Sequence, residues 1–424
     1  MRNTGEKSKR RWIKQLILLF IGLSCFSIAQ AQKEGTAQTS RNATDTITPS
    51  TNNKQIPILG KGISFRSKGD KFSVRIRPRF QSLVEFDLDE DFHQTSSDAE
   101  IRILRLTFDG YLFSPKFLYV IQLQFAQSES KKLPNGNTNI LGRAVISYKP
   151  NNTWLFSIGQ SRVNLNRAFN MAGNGLEFTE RSIAATTFNT DRDFGIFADF
   201  RHTVIGKFNM RAKASITTGE GRNWGINENN SGFAYTGRLE FYPFGWFKRN
   251  GDMFEGDLVY EETPKLVFGA GYSYNDRAIR LRGQLGDLMP DDESRTLKMY
   301  YADVLLKYRG FSFATDFLAR DCAYPLFDSD PDVSVFTGKG VNLQASYILP
   351  KHWGIALRNS TVFADKEIRS VAGYKHNNQT TFALSKYIQD HHIKAIADAS
   401  YYHRKEATDA YTHWQFRFLL EIGI

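Results

Sequence analysis

Apolar and polar residues take turns from about residue 71 to the C-terminus, and this period of two limits the fold more than any other property of the chain. Successive side chains of an extended segment point to opposite faces, so sustained alternation builds strands with one oily and one wet side. In the run 207–217, Phe208, Met210, Ala212, Ala214 and Ile216 share one face, and Asn209, Arg211, Lys213, Ser215 and Thr217 share the other. At the C-terminus Trp414, Phe416, Phe418, Leu420 and Ile422 oppose Gln415, Arg417 and Glu421. Phe72, Val74, Ile76, Phe80, Val84 and Phe86 alternate with Arg75, Arg77, Arg79, Gln81 and Glu85 in the same way. No helical apolar stripe of comparable length follows residue 31.

Sixteen segments carry the pattern: 72–87, 100–113, 116–129, 139–149, 152–162, 192–202, 205–219, 231–243, 264–275, 297–309, 311–320, 338–349, 351–363, 378–388, 391–404 and 411–424. Most reach the roughly 9–11 residues that a tilted strand needs to cross a bilayer. Their connections alternate short and long, with short ones at Ser114-Pro115, Pro150-Asn151, Thr203-Val204, Gly310, Pro350 and Asp390. The long link 244–263 breaks the rule by falling on the short side. A soluble sandwich has no reason to keep such parity, whereas outer-membrane barrels have short periplasmic turns and long external loops. In hydrocarbon every backbone polar group needs a partner within the protein, so a sheet there must close on itself. The expected fold class is therefore all-β, a closed antiparallel transmembrane β-barrel of about sixteen strands in a bacterial outer membrane. A mean hydropathy of −0.41 is compatible with this, because every second residue faces a wet lumen.

Local features refine the picture. Tyr148, Trp154, Tyr300, Tyr308, Tyr347, Trp353 and Trp414 lie near strand ends on the apolar register, as interfacial girdles require. Pro78 cannot donate to a ladder and marks a bulge or bend. Arg102 and Lys386 fall on the outward parity near strand ends, where long side chains are expected to snorkel.

Residues 1–31 read as a secretory signal peptide, with a basic start, an apolar run from Leu16 to Ile28 and Ala29-Gln30-Ala31 as cleavage site. Residues 32–62 read as a flexible periplasmic tail too poor in large apolar groups to fold, and residues 63–424 as the barrel. Removing the signal takes away six basic residues and one acid, so the formal charge of +11 falls to +6. Cys322 is then the single cysteine, which excludes an internal disulfide.

That surplus charge points inward. Arg75, Arg77, Arg79, Arg105, Arg143, Arg211, Lys213 and Arg238 all lie on the lumenal register, where cations outnumber acids about two to one. A low-dielectric wall focuses such a field and concentrates anions, and guanidinium suits phosphate or carboxylate. Arg75, Arg77 and Arg79, with Arg105 on the next strand, form the densest patch. No hydrolase, zinc, P-loop or dinucleotide motif occurs, so no enzyme activity, cofactor, metal site or nucleic-acid partner is expected. His391-His392 reads as a solvated turn, and the external acids Asp328, Asp330 and Asp332 as solvated loop. A passive pore for small anionic solutes such as phosphate or carboxylates leads; an outer-membrane barrel lipase or protease, or a closed structural or adhesin barrel, are the alternatives.

The runs Phe72-Ser-Val-Arg-Ile-Arg-Pro-Arg-Phe-Gln81, Ile101-Arg-Ile-Leu-Arg-Leu-Thr-Phe-Asp-Gly110, Ile158-Gly-Gln-Ser-Arg-Val163, Phe178-Thr-Glu-Arg-Ser182, Asp191-Arg-Asp-Phe-Gly195 and Thr263 to Tyr274 resemble the phosphate-selective porin O and P family. The resemblance spans roughly residues 63–424. It implies a sixteen-stranded porin, often a homo-trimer in contact with outer-membrane lipid and lipopolysaccharide, with a third external loop folded into the lumen as a constriction. That role falls to residues 163–191. The family's founding members hold phosphate with arginines and a lysine cluster at the constriction. This loop contains no lysine; its basic residues are Arg167 and Arg181, and Arg167 joins the candidate anion-binding set.

Overall fold

The computed structural model describes residues 60–424 except 130, 133–137, 172, 224–231 and 406–409. The expected signal peptide and nearly all of the expected tail therefore lie outside the described residues. Sixteen antiparallel strands follow one another around a closed sheet: β1 (Phe72–Leu88), β2 (Gln94–Leu112), β3 (Phe117–Gln124), β4 (Leu141–Tyr148), β5 (Trp154–Arg162), β6 (Arg192–Ile205), β7 (Phe208–Thr217), β8 (Ala234–Tyr242), β9 (Lys265–Ala278), β10 (Arg295–Tyr308), β11 (Phe311–Asp321), β12 (Gly338–Leu349), β13 (Trp353–Ala364), β14 (His376–Gln389), β15 (Ile393–Lys405) and β16 (Ala410–Gly423). Each pairs with its sequence neighbours, and β16 closes on β1 from Gly423 opposite Arg79 to Trp414 opposite Leu88. All sixteen expected segments are strands, with ends moved by a few residues.

The two faces differ as lipid and lumen require. Along β8 buried and exposed positions alternate without a break from Ala234 to Leu239, and the outward face of the barrel carries exposed Ile101, Ile146, Ile196, Leu357 and Phe382. Tyr148 and Trp154 stand exposed where β4 turns into β5. Lys386 snorkels as expected: its ammonium donates to the Lys351 carbonyl and lies 5.2 Å from the Trp353 ring centroid.

Two local expectations change. Arg102 does not face lipid. The β1–β2 register slips so that Gln81 pairs with Ile103 and Ser82 with Ile101. Arg102 is the extra residue of a bulge, its side chain turns inward, and its guanidinium pairs with Glu180. Pro78 marks a seam instead of a bulge. On that edge β16 stops opposite Arg79, and a short strand, Ile63–Arg66, takes over from Ile76 to Ser73. The missing N–H falls between the two partners, and the Ile424 amide donates to the Pro78 carbonyl at 3.2 Å.

Candidate functional site

Two connections fold into the barrel from opposite ends. External loop 3, residues 163–191, carries two short helices, α1 (Arg167–Asn170) and α2 (Ile183–Thr187), capped by the side chains of Asn166 and Ser182. Leu165, Phe178, Ala184 and Phe188 in this loop are fully buried. Phe178 packs on Leu83, Ala356, Ala383, Ile396 and Leu419, apolar residues that share the lumenal register with charged ones. Leu165, Ala184 and Phe188 pack on Met299, Tyr301, Leu318 and Val362. The second connection is the long link between β8 and β9, on the side of the short turns. Its Glu255, Asp257 and Glu261 are buried, and Phe254 stacks on His391 with ring centroids 4.2 Å apart. His391 is thus no solvated turn residue; burial holds its imidazole well below its ordinary range.

Lumenal cations divide into two groups by what they touch. The first holds loop backbone. Arg238 donates to the Leu165 carbonyl at 3.0 Å, Lys394 to Asn174 and Leu176 at 2.9 and 2.5 Å, Arg358 to Glu180 at 2.8 Å and Arg320 to Thr187 at 3.2 Å. Lys307 donates to the carbonyls of Gly251 and Gly256 in the inward link at 2.8 and 2.6 Å. These strands present buried side chains to carbonyls that external loop 3 and the inward link would otherwise leave unpaired, a cost of about 1–3 kcal/mol each. The second group faces water. Arg75 and Arg77 keep 46% and 41% of their side chains exposed while sharing one carboxylate, Asp109, at 2.5 and 2.7 Å. Arg201 is 46% exposed and 3.7 Å from Asp199.

The candidate residues fall into these groups unevenly. Arg75 and Arg77 line open lumen. Arg143 stands in register with Gln122, which faces Thr107, which faces Arg77, and its buried Nε has no hydrogen-bond partner among the described residues. Arg79 pairs with Glu421 at 2.7 Å under Gly173 of external loop 3, and Arg105 pairs with Glu129. Four others are enclosed. Arg167 is buried against Asp303 and Asp316 at 3.2 and 3.7 Å; Arg211 pairs with Asp199; Lys213 and Arg238 meet Glu240 at 2.9 and 2.8 Å. Arg181 donates to the Ala168 and Met171 carbonyls at 3.2 and 2.8 Å. Burial, with Arg102 nearby, lowers its guanidinium to about 10.

A cavity of about 740 Å³ opens between the β5–β7 wall and the inward link, lined by Thr153, Arg201, His202, Arg211, Trp246 and Arg249 among others. Parity also places Arg201, Lys307, Arg320, Arg358 and Lys394 on the lumenal register, but it does not single out Arg201 as a water-facing residue or the other four as holders of loop carbonyls. Apolar residues on the wet register, such as Leu83, Ile396 and Leu419, were the available signal for a docked loop.

The model of the family phosphate-selective porin O and P matches residues 74–275. Over that stretch, just under half of the chain, the sequence is similar to this family. The porin is accordingly an outer-membrane channel protein, and solved structures bear out its fold. The outer-membrane channel DcaP of Acinetobacter baumannii matches with TM-score 0.52 and 11% identity, covering 86% of this chain and 100% of that one. An anion-selective porin from Comamonas acidovorans matches with TM-score 0.53 and 9% identity, covering 83% and 100%. The trimer form of OmpT of Vibrio cholerae matches with TM-score 0.51 and 11% identity, again covering 83% and 100%. No curated protein matches the porin.

Proposed function

We propose that the porin is a passive diffusion channel that favours small anions, and that selectivity arises at the β1–β4 wall. The observation that carries this reading is the company of Arg75 and Arg77: two half-exposed guanidiniums share the single carboxylate Asp109, so the wall keeps a net positive charge facing the open lumen. In a low-dielectric bore that charge concentrates anions and repels cations. Both arginines of external loop 3 are occupied, Arg167 by carboxylates and Arg181 by carbonyls. Among the described residues the constriction thus offers no free cation cluster, which favours a general preference for phosphate and carboxylates over tight capture of one of them. Homo-trimers seated in lipid and lipopolysaccharide are the proposed assembly; an outer-membrane neighbour crystallised as a trimer supports it only through the shared fold.

Reversal potentials in planar bilayers under a potassium chloride gradient test the proposal. The native porin is expected to pass chloride in preference to potassium, and Arg75→Ala/Arg77→Ala to bring the permeability ratio close to one. A ratio already at one in the native porin, or unmoved by the double substitution, refutes it.

A further inference from the structure

External loop 3 and the inward link come from opposite ends of the barrel and meet inside it. The Glu255 amide donates to the Gly175 carbonyl at 2.8 Å, and the Glu177 amide donates to the Glu255 carboxylate at 2.7 Å. Two glycines make room for this contact. A Cβ on Gly175 would stand 2.8 Å from the Met253 carbonyl oxygen, and one on Gly256 would stand 2.3 Å from Glu177 Oε1. The junction therefore brings two carboxylates, both buried, into one small space, and Glu177 Oε1 makes no hydrogen bond among the described residues.

We propose that this junction is a proton-controlled latch: external loop 3 and the inward link stay docked across the lumen while the Glu177 carboxyl holds its proton beside Glu255, and part when that proton is lost. The proposal rests on the channel reading above and adds its regulation.

The surroundings decide the direction of the response. Lys307 on β10 and Lys394 on β15 face the pair and offset part of its charge, but their ammonium groups donate to four loop carbonyls and not to either carboxylate. Arg358 on β13 lies toward Glu255 but donates to the Glu180 carbonyl. Tyr387 on β14 adds a buried phenol, and His391 in the following turn is held neutral. Asp316 on β11 adds acid on the Glu255 side, while Arg181 of external loop 3 lies toward it with its guanidinium on loop carbonyls. Among the described residues none of these cations forms an ion pair with Glu177 or Glu255, so their charge offsets only part of the cost of burying a second anion there. Burial, then the charge of Glu255, pushes the Glu177 carboxyl up to about 7. Undocked and hydrated, it returns toward the ordinary carboxylate range. Protons are then bound more tightly in the docked state, so docking is strongest below about 4.5 and weakens as pH rises to about 7, by up to ~tenfold per pH unit, beyond which it is level.

Single-channel recording of the full-length porin from pH 5 to pH 8.5 tests the latch. The native porin is expected to open at least tenfold more often at pH 8 than at pH 5, with Glu177→Gln holding the low-pH behaviour throughout. Gly256→Val, which wedges the junction apart, is expected to stay open at both pH values. The heat-dependent shift of the barrel on denaturing gels confirms that each variant is folded. A native response that survives Glu177→Gln, or a folded Gly256→Val that behaves as the native porin does, overturns the latch. Silence of all three at every pH would overturn the channel reading itself, whereas pH-independent conduction with anion preference would sink only the latch.

Discussion

At the scale of single residues, the same side-chain type does two unlike jobs in this lumen. Arg238 has no exposed side-chain surface, lies 2.8 Å from Glu240 and 2.6 Å from Asp303, and caps the Leu165 carbonyl. Replacing it by alanine removes one cationic partner from each of two buried carboxylates, which keep Lys213 and Arg167, and leaves the Leu165 carbonyl unpaired, so Arg238→Ala should cost at least about 2 kcal/mol of barrel stability. Arg77 is 41% exposed and shares its carboxylate with Arg75; Arg77→Ala should cost no more than about 1 kcal/mol, because exposed pairs are screened. Urea-induced unfolding in detergent followed by tryptophan fluorescence checks both, and similar losses for the two variants would refute the division into holding and lining cations. Parity in the sequence shows that both residues point inward, and that much was legible. It cannot show which inward arginine meets water, because that depends on a loop that returns from seventy residues away, as Leu165 does to Arg238.

At the scale of elements, strands were legible and inward loops only partly so. Sixteen alternating runs become sixteen strands because lipid on one side and water on the other enforce the period at every step. The bulge at Arg102 hid from the alternation rule, since one extra residue reverses the parity of the rest of the strand. The depth of the link between β8 and β9 was equally hidden: nothing in the sequence marks its acids Glu255, Asp257 and Glu261 as buried, and only the fold brings the Gly310 amide to Asp257 and the Lys248 amide to Glu261. External loop 3 owes its seat to fit as well as to hydrogen bonds. Gly340 of β12 lets α2 lie directly on the wall, and a Cβ there would come within 2.9 Å of both Ala184 and Phe188. Gly340→Val is expected to lift α2, expose Phe188 and raise single-channel conductance about twofold, without changing the number of strands; conductance recording alongside far-ultraviolet circular dichroism checks this. An unchanged conductance in the folded variant would mean that α2 does not narrow the bore.

At the scale of the whole molecule, closure is the step that makes the barrel compatible with lipid, since an open edge would leave a row of N–H and C=O groups in hydrocarbon. The ring closes along β1 and β16, but β16 ends opposite Arg79 while β1 continues to Phe72. The strand Ile63–Arg66 completes the missing stretch, pairing Ile63 with Ile76 and Arg66 with Ser73, and Pro78 removes a donor at the joint. The sequence shows alternation in β1 but offers no sign that four residues before it finish the cylinder, because so short a segment has no period of its own. Deleting residues 63–66 should therefore unpair the periplasmic end of β1 and leave the rest of the seam intact. Hydrogen exchange read by mass spectrometry is expected to accelerate at amides 73–76 by at least tenfold, with amides 80–87, which pair with β16, unchanged. Uniform acceleration along all of β1 would show that the short strand holds the whole closure together, and no acceleration would show that the edge needs no partner at that end.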